Sequence, residues 1–168
     1  MEYMFLPLKR YAEFSGRSRR TEFWMFALFQ FLVWIVFLTL CGIVAGSMLM
    51  SMGKGDAGGL MAAGGTVMIL LLIGVLIALA FFLPGLAVGM RRLHDTNRSG
   101  WWLGGYLILA LVGGFLRAQG GAGLAGLISI VQLGYLIALI VFYCLDGTKG
   151  PNKYGPDPKG QADAQVFA

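Results

Sequence analysis

The chain has 168 residues; 58% fall in the set AVILMFWYC, 26 more are glycine, and only 12% are charged, with a net charge of +5. A soluble domain carries about twice that charged share. Disorder, a solvated repeat array and an ordinary water-soluble enzyme are thereby excluded, and lipid is the solvent for most of this chain.

Residues 5–16 open the pattern as an amphipathic stretch. Phe5, Leu8, Tyr11, Ala12 and Ser15 share one helical face, with Lys9, Arg10 and Glu13 elsewhere. Pro7 suits a first turn and Gly16 a stop, so a short interfacial helix is expected over 5–16. Four uncharged runs follow: 31 residues at 23–53, 34 at 57–90, 18 at 99–116 and 28 at 118–145. About 20 apolar residues cross the hydrocarbon, and four transmembrane helices are predicted at 23–47, 66–89, 101–117 and 124–145. The third run spans only about 27 Å as a helix. These runs are apolar on every face, whereas barrel strands alternate, so the fold class is an all-α integral membrane protein.

Within the helices, Trp24, Trp101 and Trp102 mark membrane boundaries, and Trp34, ten residues inside, is expected to pack. Gly42/Gly46, Gly85/Gly89 and Gly100/Gly104 are GxxxG pairs that permit close helix approach. Pro84–Gly85 is expected to kink the second helix. Cys41 and Cys144 sit at opposite depths and are read as free thiols, since a disulfide needs Cα atoms about 4–7 Å apart.

Charge placement orients the chain. The N-terminal tail, the 91–98 loop and the C-terminal tail hold 11 of the 13 Lys/Arg, leaving Lys54 and Arg117 on the other side. Lys and Arg concentrate in cytoplasmic loops, so both termini are expected in the cytoplasm, with a multi-pass protein in the bacterial inner membrane. No cleavable signal peptide is evident, because the first apolar run far exceeds a 7–15-residue h-region.

Catalytic signatures are sparse. The predicted spans carry no ionisable residue, only Gln30, Thr39, Thr66, Ser129 and Gln132 as polar groups, which disfavours a proton-coupled carrier. Phosphate loops, nucleophile elbows and Cys/His metal spacing are missing. Neither cofactor nor metal is expected, and the M-x-M-x-M of Met48, Met50 and Met52 reads as flexible apolar filler rather than a copper site. His94 beside Asp95 invites an acid–base reading, yet neighbours on a helix face apart, and a polar clasp with Asp95 pairing an arginine is the simpler expectation.

Three segments expected on one membrane face hold nearly all the polar information: GRSRRTEFW at 16–24, RRLHDTNRSGWW at 91–102 and DGTKGPNKYGPDP at 146–158. Their candidate binding residues are Arg17, Arg20, Glu22, Trp24, Arg91, Arg92, His94, Asp95, Arg98, Trp101, Trp102, Asn152 and Tyr154. A basic ring beside tryptophans suits anionic lipid headgroups, while simple topology control by positive charge explains the same distribution. Nucleic acid need not be invoked. The tail 146–168 is too rich in Gly and Pro to be helical; it is expected to fold back over residues 91–98, with the chain loose beyond Lys159.

These segments resemble the signature of the domain of unknown function 805 family of small bacterial inner-membrane proteins: GR-x-x-R-x-E-[FY]-W, then RRLHD-T-x-RSGWW, then GT-x-G-x-N-x-YG-x-DP. The match includes Gly16, Arg17, Arg20, Glu22, Phe23 and Trp24. It continues through Arg91 to Thr96 and Arg98 to Trp102. It ends with Gly147, Thr148, Gly150, Asn152, Tyr154, Gly155, Asp157 and Pro158. Asn97 departs from a frequent glycine, and the glycine-rich 53–65 segment looks individual. The resemblance covers about residues 5–158 and implies roughly four membrane helices without supplying an activity. The functional expectation is a non-enzymatic membrane protein whose clasp binds anionic lipid headgroups or a partner membrane protein, with a second copy of the chain in a homo-oligomer as a further expected partner. Alternatives are an oligomeric transporter or channel component, and a lipid-headgroup enzyme using His94 and Asp95.

Overall fold

A computed structural model describes residues 2–54 and 57–160. The expected looseness beyond Lys159 falls, from residue 161 on, outside the described residues. Five helices follow in order: α1 (Glu2–Lys9), α2 (Arg20–Lys54), α3 (Ala57–Asp95), α4 (Trp101–Ala118) and α5 (Ala122–Cys144). Helices α2 to α5 contain four segments long and apolar enough to cross a membrane. With no water in hydrocarbon, such helices satisfy their backbone internally.

The helices pair as two hairpins of unequal length. At 1.5 Å per residue, the 35 residues of α2 and 39 of α3 extend about 50–60 Å. The 18 residues of α4 and 23 of α5 extend about 25–35 Å. Expected boundaries therefore shift. The glycine-rich stretch expected as a loop is helical except for 55–56, which lie outside the described residues. The expected 91–98 loop instead begins as the last turn of α3, carrying Arg91, Arg92, His94 and Asp95. The N-terminal helix ends at Lys9, earlier than the expected 16.

Each hairpin has its own packing. Phe26 and Phe29 of α2 meet Phe81 of α3 at 6.0 and 5.6 Å between centroids. Trp34 packs edge-on against Phe37 at 5.6 Å, and Phe37 lies where a Cβ on Gly74 would stand 2.8 Å from its ring. In the other hairpin the Tyr135 hydroxyl lies 2.7 Å from a Cβ built on Gly105. The hairpins join at one end through Leu93, Leu139 and Tyr143, flanked by Phe23, Leu103 and Tyr106. Gly89 lets Leu103 and Tyr143 close on α3 there. Among the described residues Gly42 and Gly46 have nothing within 4 Å of a built Cβ, so that GxxxG pair does no packing there. Cys41 and Cys144 are both free thiols.

Helix α3 runs continuously through Pro84. Proline removes the donor that would reach the carbonyl four residues back, at Ala80. The carbonyls on either side accept from outside the helix: Tyr11 Oη donates to Leu79 O at 3.4 Å and Gln30 Nε2 to Phe81 O at 3.3 Å. Tyr11 thus fastens the segment after α1 to the α2/α3 hairpin, where Phe5 also packs on Phe29 at 5.1 Å.

Gly74→Val is expected to separate α2 from α3 and lower stability by about 1–3 kcal/mol, read as a drop in melting temperature in detergent micelles. Gly46→Ala is the control, expected within about 0.5 kcal/mol of wild type.

Candidate functional site

The chain gathers its buried charge at the end where the hairpins meet. Among the described residues, Arg17, Glu22, Arg91, Arg92 and Asp95 are the buried charged side chains, with Ser18 and Thr96 beside them. They come from the linker before α2, the first turn of α2 and the last turn of α3.

Asp95 is the hub. Its Oδ1 accepts from Arg17 Nε at 2.9 Å, and its Oδ2 accepts from Arg92 Nη1. Arg17 also donates to the tail carbonyls of Gly150 at 2.6 Å and Thr148 at 2.5 Å. Arg92 donates to Tyr143 O at 3.2 Å and to Leu145 O. A buried guanidinium is tolerated only when paired and hydrogen-bonded, and Arg17 and Arg92 meet that condition with Asp95 and chain carbonyls.

The same contacts cap two helices. The last carbonyls of any helix lack intrahelical partners, and α5 has no basic residue in its own last turn. Arg92 from α3 and Arg20 from α2 supply the donors, Arg20 Nη1 reaching Cys144 O at 3.0 Å. At the end of α3, Arg98 N donates to Leu93 O at 2.9 Å and Asn97 N to His94 O at 3.0 Å. This Schellman pattern needs a left-handed residue after the cap. Asn97 takes it at φ 58°, which accounts for asparagine where a glycine is frequent.

The tail lies across this end of α3. Thr148 N donates to Asp95 O at 2.9 Å, and Asn152 Nδ2 donates to His94 O and Thr148 Oγ1, both at 2.9 Å. Tyr154 stacks flat on His94, with centroids 3.9 Å apart and planes within 6°. The His94 Nδ1–H donates to Gly16 O at 3.2 Å, so His94 is held between the N-terminal linker and the tail. Gly147 passes so close to the Asp95 carboxylate that a Cβ there would overlap it. Asp157 closes the tail's turn by accepting from Gly150 N and Lys159 N at 2.9 Å each. Those two backbone donors hold its carboxyl below the usual range. Arg19 donates to Pro158 O.

The remaining candidates stay at the rim. Arg20 is exposed and pairs with Asp146 at 3.1 Å. Arg98 lies over the Phe142 ring at 3.9 Å, and Trp102 packs on Phe142 and Tyr135. Trp24 and Trp101 are exposed, Trp101 to 77%. A polar cavity of about 250 Å³ lies between Asp95 and the tail, lined by Asp146, Lys149, Asp157 and Lys159. Among the described residues no group of three or more His, Cys, Asp or Glu is arranged to hold a metal. Gln30 is bonded into the α2/α3 hairpin, and Ser129 accepts from Arg117 in the α4/α5 hairpin, so these two polar residues serve different helix pairs. Sequence reading passed over Ser18, Gly147, Thr148 and Asp157 as site residues. The DGT and DP steps of the tail were the available signal, but their partner on α3 is set by tertiary contact.

A family model described as a protein of unknown function, DUF805, matches residues 11–156. The chain is 38% identical over 159 residues to the inner membrane protein YhaH of Escherichia coli K12, an alignment covering 95% of this chain and 98% of that one. It is 34% identical over 159 residues to the inner membrane protein YhaI of the same strain, covering 95% and 97%. No solved structure matches the chain.

Asp95→Asn leaves Arg17 and Arg92 without their carboxylate. It is expected to cost about 3–5 kcal/mol and to make the tail protease-sensitive while helical circular dichroism persists. Because the Asp157 carboxyl is held low in the folded chain, its contribution is complete above the ordinary carboxylate pKa and is lost as pH falls through the folded value. Tail protection measured by limited proteolysis is expected to decline below about pH 4, and Asp157→Asn to show that weakened protection already at pH 7.

Proposed function

The chain belongs to the DUF805 family, and on that footing we propose that it is a non-enzymatic inner-membrane protein whose clasp end binds anionic lipid headgroups. Both termini lie in the cytoplasm in this reading, and α1 lies along the membrane interface. The observation that carries it is the division of labour among the basic residues at that end. Arg17 and Arg92 are buried and consumed by Asp95 and chain carbonyls, so they hold the platform together instead of binding a ligand. Among the described residues there, eight other basic side chains stay exposed or half-buried against four acidic ones.

Aromatic and apolar surface adjoins those cations. Arg20 stands one turn before Trp24, which with Ala27, Leu28 and Phe31 lines a shallow apolar groove of about 360 Å³ on α2. The spacing i, i+4, i+7/i+8, i+11 keeps them on one helix face. A phosphate near Arg20 and Lys159 with its acyl chain along that groove satisfies both the charge and the apolar surface. Each Lys or Arg near an anionic surface contributes about 1 kcal/mol.

Other readings have less support. His94 is covered by Tyr154 and tied to Gly16, and Asp95 is buried between two guanidiniums, so neither is poised for headgroup chemistry. The separation of Gln30 from Ser129 withholds the polar lining that a transport path within one chain would use.

Lipid retention tests the proposal. Full-length protein purified from membranes containing phosphatidylglycerol and phosphatidylethanolamine is compared with Lys149→Gln/Lys153→Gln/Lys159→Gln, which leaves the buried network intact. Retained phosphatidylglycerol is expected to fall by a factor of ten or more, at about 1 kcal/mol per removed charge; equal retention overturns the lipid reading. Orientation is tested separately by reporter fusions. A green fluorescent protein after the last residue is expected to fluoresce and alkaline phosphatase there to be inactive, and an active phosphatase reverses the assigned topology.

A further inference from the structure

One part of the buried polar cluster is incompletely paired. Ser18 Oγ, Glu22 Oε1 and both terminal nitrogens of Arg91 are buried with no hydrogen-bond partner among the described residues. Ser18 and Arg91 are fully buried and Glu22 is 4% exposed. Arg91 Nη2 stands 3.3 Å from Glu22 Oε1, close enough for an ion pair, but without hydrogen-bond alignment. Arg91 Nε reaches only Ala87 O, at 3.4 Å. Ser18 is anchored to α3 by its backbone, Ser18 N donating to Arg91 O at 3.1 Å. The arrangement contrasts with Asp95 nearby, whose two oxygens are both taken by arginines.

Buried polar atoms are nearly always satisfied, by protein or by ordered water. We propose that Ser18, Glu22 and Arg91 form an internal hydration site holding one or two ordered water molecules. Water donates to Glu22 Oε1, accepts from the Arg91 nitrogens, and takes either role toward the Ser18 hydroxyl; buried waters typically make about three such bonds. Charge selects water over an ion. The further charges acting on Arg91 besides Glu22 are Arg10 and Glu13, which pair with each other at 2.6 and 2.7 Å. The two arginines and two glutamates balance. With those charges already balanced, an added anion or cation would bring a net charge with no counter-charge left to meet it. The site joins the linker before α2 to α3 through water, so this half of the clasp adjusts where the Asp95 half is fixed by direct bonds. It does not depend on the lipid reading.

The test is a high-resolution structure of the full-length protein in lipid nanodiscs, with a bromide-soaked crystal for comparison. Expected is ordered water density within hydrogen-bond distance of Glu22 Oε1 and the Arg91 guanidinium, with density also on Ser18 Oγ, and no anomalous bromide peak there. A direct two-pronged Arg91–Glu22 pair without such density overturns the proposal, as does bromide at the site. Melting temperatures give a second readout. Ser18→Val, which fills the water's volume, is expected to melt about 4 °C or more below Ser18→Ala; a Val variant as stable as the Ala variant speaks against water there.

Discussion

Three arginines buried at the end of a membrane bundle impose the governing constraint on this protein. A guanidinium cannot lose its proton in a protein, so the fold must supply counter-charges and acceptors for each one. Asp95 serves Arg17 and Arg92, and Glu22 faces Arg91. Two carboxylates do not complete the acceptor set, and for Arg17 and Arg92 the chain adds carbonyls from the end of α5 and from the tail. The C-terminal segment is therefore structural: without residues 147–150, Arg17 loses two of its acceptors.

That requirement joins two hairpins with little else in common. The apolar cluster around Leu93, Leu139 and Tyr143 lies beside the charged network, and the helix-end carbonyls of α5 point at arginines from α2 and α3. Lipid tails are as apolar as leucine, so burial of apolar surface does little to drive one membrane hairpin onto another. Directional polar contacts at the boundary do that work. The absence of a basic residue in the last turn of α5 follows the same logic, since the positive end-charge comes from neighbouring helices.

The functional reading rests on which cations the clasp consumes. By residue type alone, Arg91, Arg92, Lys149 and Lys153 are equivalent phosphate ligands. In the fold, Arg92 is enclosed by Tyr143, Leu145 and Asp95, whereas Lys149 and Lys153 remain exposed. In the proposed lipid reading, a headgroup would find its charge at the rim, among the cations that the buried network leaves free.

Hydrophobic run length was enough to read four helices apolar enough to cross a membrane, and charge spacing to read the clustering of polar segments; the family came from the resemblance of three motifs. Those depend on local composition and on a solvent that tolerates no unpaired backbone. Helix ends were legible less well: the turn at 91–95 looked like a loop because charged residues interrupt an apolar run, yet their backbone carbonyls find partners in residues more than 50 positions away. Whether Asp95 pairs with Arg17, Arg92 or both, that Gly147 must lie against it, and that Arg91 is left incompletely satisfied were decided only when linker, α3 and tail met in space. A pairing between side chains distant along the chain leaves no periodicity in either segment, so only the folded arrangement could fix it.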